Sequence, residues 1–184
     1  MARQLADPGT LLSTIHEVDG GLRVRLRLAR PSDAMRMRAF FGGLGDETRH
    51  RRFFVAMPEA SEPLIRHFTF FDPRQRLVVV AVAMIGHSEE IVGVADVALR
   101  ETALAELGVV VDDAHQGAGI GRLLSEAIAS LAMRQGATHL RAEFLDGNEG
   151  IVALMRRLGR TMLTSDGHTT VAVTRLPATR RRAA

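Results

Sequence analysis

The chain of 184 residues contains no cysteine. Disulfide scaffolds, thiol nucleophiles and thiolate metal sites are therefore excluded, and the absence fits a cytoplasmic protein. Lysine is missing as well: all 24 basic residues are arginine, set against 21 acidic ones for a net charge of +3. A P-loop, which needs its lysine, is ruled out. There is no tyrosine and no tryptophan, and the eight phenylalanines fall largely in segments that read as amphipathic helices. The aromatic platforms of single-strand nucleic-acid binding are thus lacking, and no nucleic-acid partner is expected. The longest apolar run, 77–85, is too short to span a bilayer, and the first 21 residues have no continuous apolar core of a signal peptide. Neither a membrane partner nor a targeting segment is expected. Seven histidines are widely spaced with no H-E-x-x-H, so no metal site is expected either. What remains is 46% apolar, enough for one globular domain with a real core.

The most informative stretch runs from Ala105 to Arg122. Glu106 opens a β-branched run, Val109, Val110 and Val111, that reads as a strand. Gln116, Gly117, Ala118, Gly119, Ile120, Gly121 and Arg122 then form a glycine-rich turn that opens a helix, with apolar residues at helical spacing in Leu123, Leu124, Ile128 and Leu131. The first amides of a helix lack internal partners and its dipole favours negative charge, while glycines let backbone approach a ligand closely. A phosphate-bearing cofactor is expected here, with a carboxylate one strand-length away. The dinucleotide fingerprint fits poorly, because Arg122 stands at its last glycine.

Along the rest of the chain, 1–20 reads as a loose arm with one helical turn at most. Residues 22–28 alternate perfectly, with Arg23, Arg25 and Arg27 expected to face out, as a solvated strand face or an anion-binding comb. A helix follows, with Ser32 as N-cap and Met35, Phe40 and Phe41 on its buried side. Short helices are expected over 46–54 and 61–70, with Ser61 as a cap. Residues 76–87 read as a strand buried on both faces, turning at Ser88, Glu89 and Glu90 into a second strand, 91–100. Asp96 interrupts that apolar strand, facing either a cleft, where it would attract an amine, or solvent. A strand over 103–112, a helix over 119–135, a strand over 139–145, a helix over 148–158 with Asn148 as cap, and a closing hairpin complete the pattern. The strand–helix–strand unit is a right-handed crossover between parallel strands. A basic tail with Arg180, Arg181 and Arg182 ends the chain. Domain bounds of 1–20 for the arm, 21–176 for the globular part and 177–184 for the tail are expected.

Gln116-Gly117-Ala118-Gly119-Ile120-Gly121 resembles the Q/R-x-x-G-x-G/A signature of the GNAT acetyltransferases, and Ala105-Glu106-Leu107 resembles the strand before it. The likeness continues through Asn148 and covers 103–159. It implies an α/β (α+β) fold with a mixed sheet of six to seven strands, flanked by helices, whose fourth and fifth strands splay apart. It further implies acetyl-CoA as co-substrate and no metal. Its pyrophosphate would lie on the turn from Gln116 to Arg122, its pantetheine arm along Val109, Val110 and Val111, and Asn148 would border the same site. Glu106 would be the base that deprotonates an acceptor amine, aided by burial that raises a carboxylate toward roughly 6–7. The segments around Arg49, Arg51 and Arg52 would line the acceptor cleft.

The stretch 27–54 also resembles the start of the GNAT domain in bacterial protein-lysine acetyltransferases, with Gly45 and Thr48 departing from the pattern. This implies a lysine acceptor on another protein. A small amine acetyltransferase is the alternative, and a catalytically inactive acyl-CoA-binding module is a third reading. The last is kept open because the tyrosine that protonates the leaving thiolate in many relatives is replaced by Met155. A monomer or homodimer is expected.

Overall fold

The computed structural model describes residues 5–54, 60–99 and 103–178. Helix α1 (Pro8–Ser13) and strand β1 (Ile15–Glu17) precede β2 (Arg23–Leu28), and helices α2 (Ala34–Gly43), α3 (Asp46–Phe53) and α4 (Glu62–Thr69) follow. Then come β3 (Arg76–Ile85), β4 (Ser88–Leu99), β5 (Leu104–Val111), α5 (Ile120–Arg134), β6 (His139–Leu145), α6 (Glu149–Leu158), β7 (Arg160–Ser165) and β8 (Thr169–Arg175). Among the described residues the strands form one eight-stranded sheet in the order β1-β2-β3-β4-β5-β6-β8-β7. Every pair is antiparallel except β5 with β6, the two strands joined by the α5 crossover.

Several expectations are corrected. The sheet has eight strands rather than six to seven, because the segment read as a loose arm adds β1 to the edge of β2. The same segment carries α1, capped by Asp7 and held to α5 by Arg134–Asp7 and by the Ser130 hydroxyl donating to the Ala6 carbonyl at 2.9 Å. Ser32 is not a cap. It lies in a short 3₁₀ turn, and Asp33 instead accepts the Arg30 amide at 2.8 Å. Met35 is 85% exposed, and Met37 takes its place in the core. The β3–β4 turn sits at Gly86 and His87, where Gly86 adopts φ +61°, so Glu89 and Glu90 belong to the strand. Arg27 turns inward, with its guanidinium gripping the buried Asp33 at 2.6 and 2.8 Å. The arginines at 180–182 lie outside the described residues.

Two apolar cores flank the sheet. On one face α1, α5 and α6 bury Leu123, Leu124, Ile128, Val152 and Met155 against the alternate residues of β2 to β6. On the other, α2 and α4 bury Met37, Phe41, Ile65 and Phe68 against Val78, Val80, Val94 and Val110. That double burial explains the unbroken apolar run of β3. Each such side chain contributes on the order of 1.5–3 kcal/mol. Helix α5 seats its first turns directly on β4 at Gly93, where a Cβ would come within 2.9 Å of Leu124 and 3.1 Å of Ile120. This close contact fixes where the helix begins, and with it the glycine turn.

Candidate active site

The β5–β6 ladder is short. It pairs Leu104 with His139, Ala105 with Leu140 and Glu106 with Arg141, and then stops. Beyond Glu106 the two strands diverge, while β5 stays paired with β4 as far as Val111. A cavity of about 410 Å³ occupies the gap and runs from Leu107 to the glycine turn, with Asn148, Ile151 and Leu154 of α6 on its far side. Main-chain groups alternate in direction along a strand. The Asp112 amide donates to Val92 at 3.0 Å on the β4 side, so the groups of Val110 also face β4. Those of Val109 and Val111 face the opening. All three valines line the cavity, but only Val109 and Val111 aim backbone polar groups into it.

The turn is built by backbone geometry that favours glycine. Gly117 adopts φ +78° and Gly119, the N-cap of α5, φ +90°. The amides of Ile120, Gly121 and Arg122 follow at the helix N-terminus, where no intrahelical acceptor is available. Gly117, Gly119, Gly121 and Arg122 line the cavity. The side chains of Ala118 and Ile120 do not. Ile120 is 1% exposed in the core, and the Ala118 carbonyl accepts the Asp19 amide at 3.1 Å. Gln116 borders the cavity but spends its side-chain amide on structure, donating to the Val111 carbonyl and to Thr48, each at 3.2 Å. Asn148 caps α6, its side-chain oxygen accepting the Ile151 amide at 3.3 Å.

The glycine turn and α3 are tied together by Asp113, which lies just before the turn. Its carboxylate accepts the Gly45 amide at 2.8 Å and the Thr48 hydroxyl at 2.6 Å, capping a helix whose own N-cap residue is a glycine. The hydrogen bond from Thr48, opposed by burial and supported by the Gly45 amide, holds the Asp113 carboxyl below the usual carboxylate range.

Glu106 stands where the ladder ends. It lines a second cavity of about 300 Å³ that also touches Leu107 and Gly108, so the two cavities meet on β5. Its side chain is 39% exposed, with Arg141 Nη1 4.0 Å from Oε1, while Arg141 also pairs with Glu143 at 2.6 Å. Glu106 is therefore half-buried at the cavity wall. Asp96, by contrast, is buried and faces the same cavity. It accepts from Arg52 on one oxygen and from Arg76 on the other, so it is no bare anionic magnet for an amine. Arg52 reaches Asp96 by lying over Gly108, where a Cβ would come within 2.3 Å of its guanidinium. Sequence reasoning missed Arg76 and Gly108. A glycine within a strand, opposite a buried aspartate, was the available signal. Of the arginines of α3, Arg52 lines both cavities and Arg51 only the larger one, whereas Arg49 pairs with Asp46 at 2.5 Å. Met155 is fully buried in the core rather than exposed to either cavity. Among the described residues no group of acidic, histidine or cysteine side chains could hold a metal ion, and no helix is long and apolar enough to cross a membrane.

Residues 45–159 match the model of the Acetyltransferase (GNAT) family. Acetyltransferase PA5475 of Pseudomonas aeruginosa is 30% identical over 123 residues, 66% of this chain and 66% of that protein. The GNAT domain of PAT from S. lividans superposes with a TM-score of 0.75 at 26% identity, covering 86% of this chain and 94% of that one. At 19% identity, yncA from Salmonella typhimurium, solved with its cofactor acetyl-CoA, shares the fold with a TM-score of 0.65 over 88% and 98% of the two chains. With its strands parting at Glu106 and a glycine turn at the head of α5, the chain belongs to the GNAT family of acetyltransferases.

Proposed function

We propose that the protein transfers an acetyl group from acetyl-CoA to a primary amine, and that the amine is a lysine side chain of another protein. The observation that carries this reading is the open edge of β5 between Glu106 and the glycine turn. The unpaired amides at the head of α5, with the left-handed glycines before them, suit a pyrophosphate. The outward groups of Val109 and Val111 suit the amides of a pantetheine arm, which would add to the strand as a peptide does. Bound there, acetyl-CoA would supply an acetyl thioester: an N–C bond to the amine would form, the C–S bond would break, and coenzyme A would leave as its thiolate. Glu106, in the smaller cavity beside the point where the two meet, accepts the proton that the amine must lose, directly or through a water. The cavity beside it, with Arg52, Arg76 and His67 on its walls, receives the acceptor. A free polycation would meet this guanidinium-rich wall unfavourably, which supports the protein lysine over a small polycationic amine. The cytoplasmic setting belongs to the same proposal.

The test is incubation with labelled acetyl-CoA and a cell extract, beside a panel of small amines. Label at lysine in discrete protein bands is the expected result. This chain has no lysine, so no such band arises from modification of its own side chains. Label confined to small amines would replace the acceptor assignment, and cofactor binding with no transfer at all would make the protein a binding module.

A further inference from the structure

The cavity next to Glu106 holds two groups of charged side chains. At one end a single carboxylate, Asp96, faces two guanidinium groups, Arg52 and Arg76, so that end carries an excess positive charge. At the other, Arg141 reaches both Glu106 and Glu143. The positive end also has unused donors. Each guanidinium offers five N–H groups, of which Asp96 engages few, and Arg52 Nε is buried without a hydrogen-bond partner. The side chains of Arg52 and Arg76 are each only 20% exposed. An anion reaching them would meet charge little screened by water. His67, on the same wall, registers this surplus. Burial lowers its pKa, Arg76 and Arg52 lower it further, and Asp96 opposes them.

The sheet sets the distance between the two ends. Asp96 pairs with Gly108 and Ala98 pairs with Glu106, so Asp96 and Glu106 are diagonal neighbours on one face. Such neighbours lie roughly 7–8 Å apart. Resting on the reading of Glu106 as the amine's base, we infer that the acceptor is a side-chain amine accompanied by a carboxylate several bonds away, the amine meeting Glu106 and the carboxylate meeting Arg52 and Arg76. The α-amine of a free amino acid does not fit, because its carboxylate is bonded to the same carbon and cannot span the two ends. Two sources supply the required chemistry: a lysine with an acidic neighbour in a peptide, or a lysine whose own α-carboxylate is free.

The experiment compares kcat/KM at saturating acetyl-CoA for blocked, amidated peptides in which lysine is followed by Glu, Gln or Lys, for Nα-acetyl-lysine and its amide, and for spermidine. The Glu peptide is expected to exceed the Gln peptide, or Nα-acetyl-lysine its amide, by about tenfold or more. Which pair shows the difference identifies the source of the carboxylate. In Arg76→Gln the ratio should collapse toward one, while Arg76→Lys keeps part of it. Arg76 does not line the cofactor cavity, so unchanged acetyl-CoA affinity in these variants serves as their control for folding. Turnover of all lysine acceptors without regard to the carboxylate would overturn this inference and leave the lysine reading standing. So would a preference undiminished in a folded Arg76→Gln. Transfer to spermidine alone would overturn both. Were no acceptor turned over, calorimetric titration of the same compounds into the enzyme–coenzyme A complex decides, and equal binding of the charged and amidated forms overturns the inference.

Discussion

Glu106 owes its position to backbone pairing. It is the last residue of β5 that β6 still pairs, so its side chain projects at the point where the strands separate. Glu106→Gln keeps the shape and removes the basic oxygen. We expect acetyl-CoA affinity, measured by calorimetry, to be nearly unchanged and kcat to fall by roughly 10²–10⁴-fold. An unchanged kcat would assign the proton to another acceptor. The residue was legible in the sequence as an acid one strand-length before a glycine turn, but its surroundings were not. Asp96 and its partners Arg52 and Arg76 are separated by 44 and 20 positions, and nothing local encodes their meeting. Only the general rule that a buried carboxylate must be paired foreshadows it. Gly108 is the counterpart of that cluster on the next strand. It is a residue whose lack of a side chain has a purpose only once Arg52 is seen lying across it.

At the scale of elements, α5 and its turn could be read directly, because hydrophobic period, glycines and the terminating Gly136 all lie within one continuous segment. Helix α3 could be read as a helix but not as one capped from outside. Its N-cap, Gly45, has no side chain to offer, and the cap arrives as Asp113 from 68 positions away. Asp113→Ala should lower stability in urea titration by about 1 kcal/mol, the ordinary worth of a cap. It should also raise KM for the acceptor, since α3 carries Arg52. A loss of stability with no change in KM would separate the cap from the site. The N-terminal elements escaped the sequence reading for a different reason. α1 and β1 are too short to display a period, and their order comes from α5 and β2, against which they lie.

For the molecule as a whole, the decisive feature is a sheet covered on both faces and open where one ladder stops short. The covering of the outer strands depends on charge as well as on apolar burial. Asp33 is 1% exposed and is gripped by Arg27. Burial pushes its carboxyl up, but the hydrogen bonds from Arg27 and from the Arg30 amide outweigh burial and hold it below the usual range. A carboxyl lowered by folding contributes stability that is complete above its unfolded value near 3.9 and is lost as pH falls through its folded value. Urea midpoints should therefore decline below about pH 4, and Asp33→Asn should flatten that decline while lowering stability at neutral pH. A slope unchanged in the variant would place the acid sensitivity elsewhere. The shared carboxylate of Asp113 has a larger consequence. Under the proposed function, one side chain fixes both the loop that meets the cofactor and the helix that meets the acceptor. Two ligands that order the same contact are thermodynamically linked, and linkage is reciprocal. By whatever factor the cofactor changes the affinity for the acceptor, the acceptor changes the affinity for the cofactor, so loosening this one contact would weaken the coupling equally from either side.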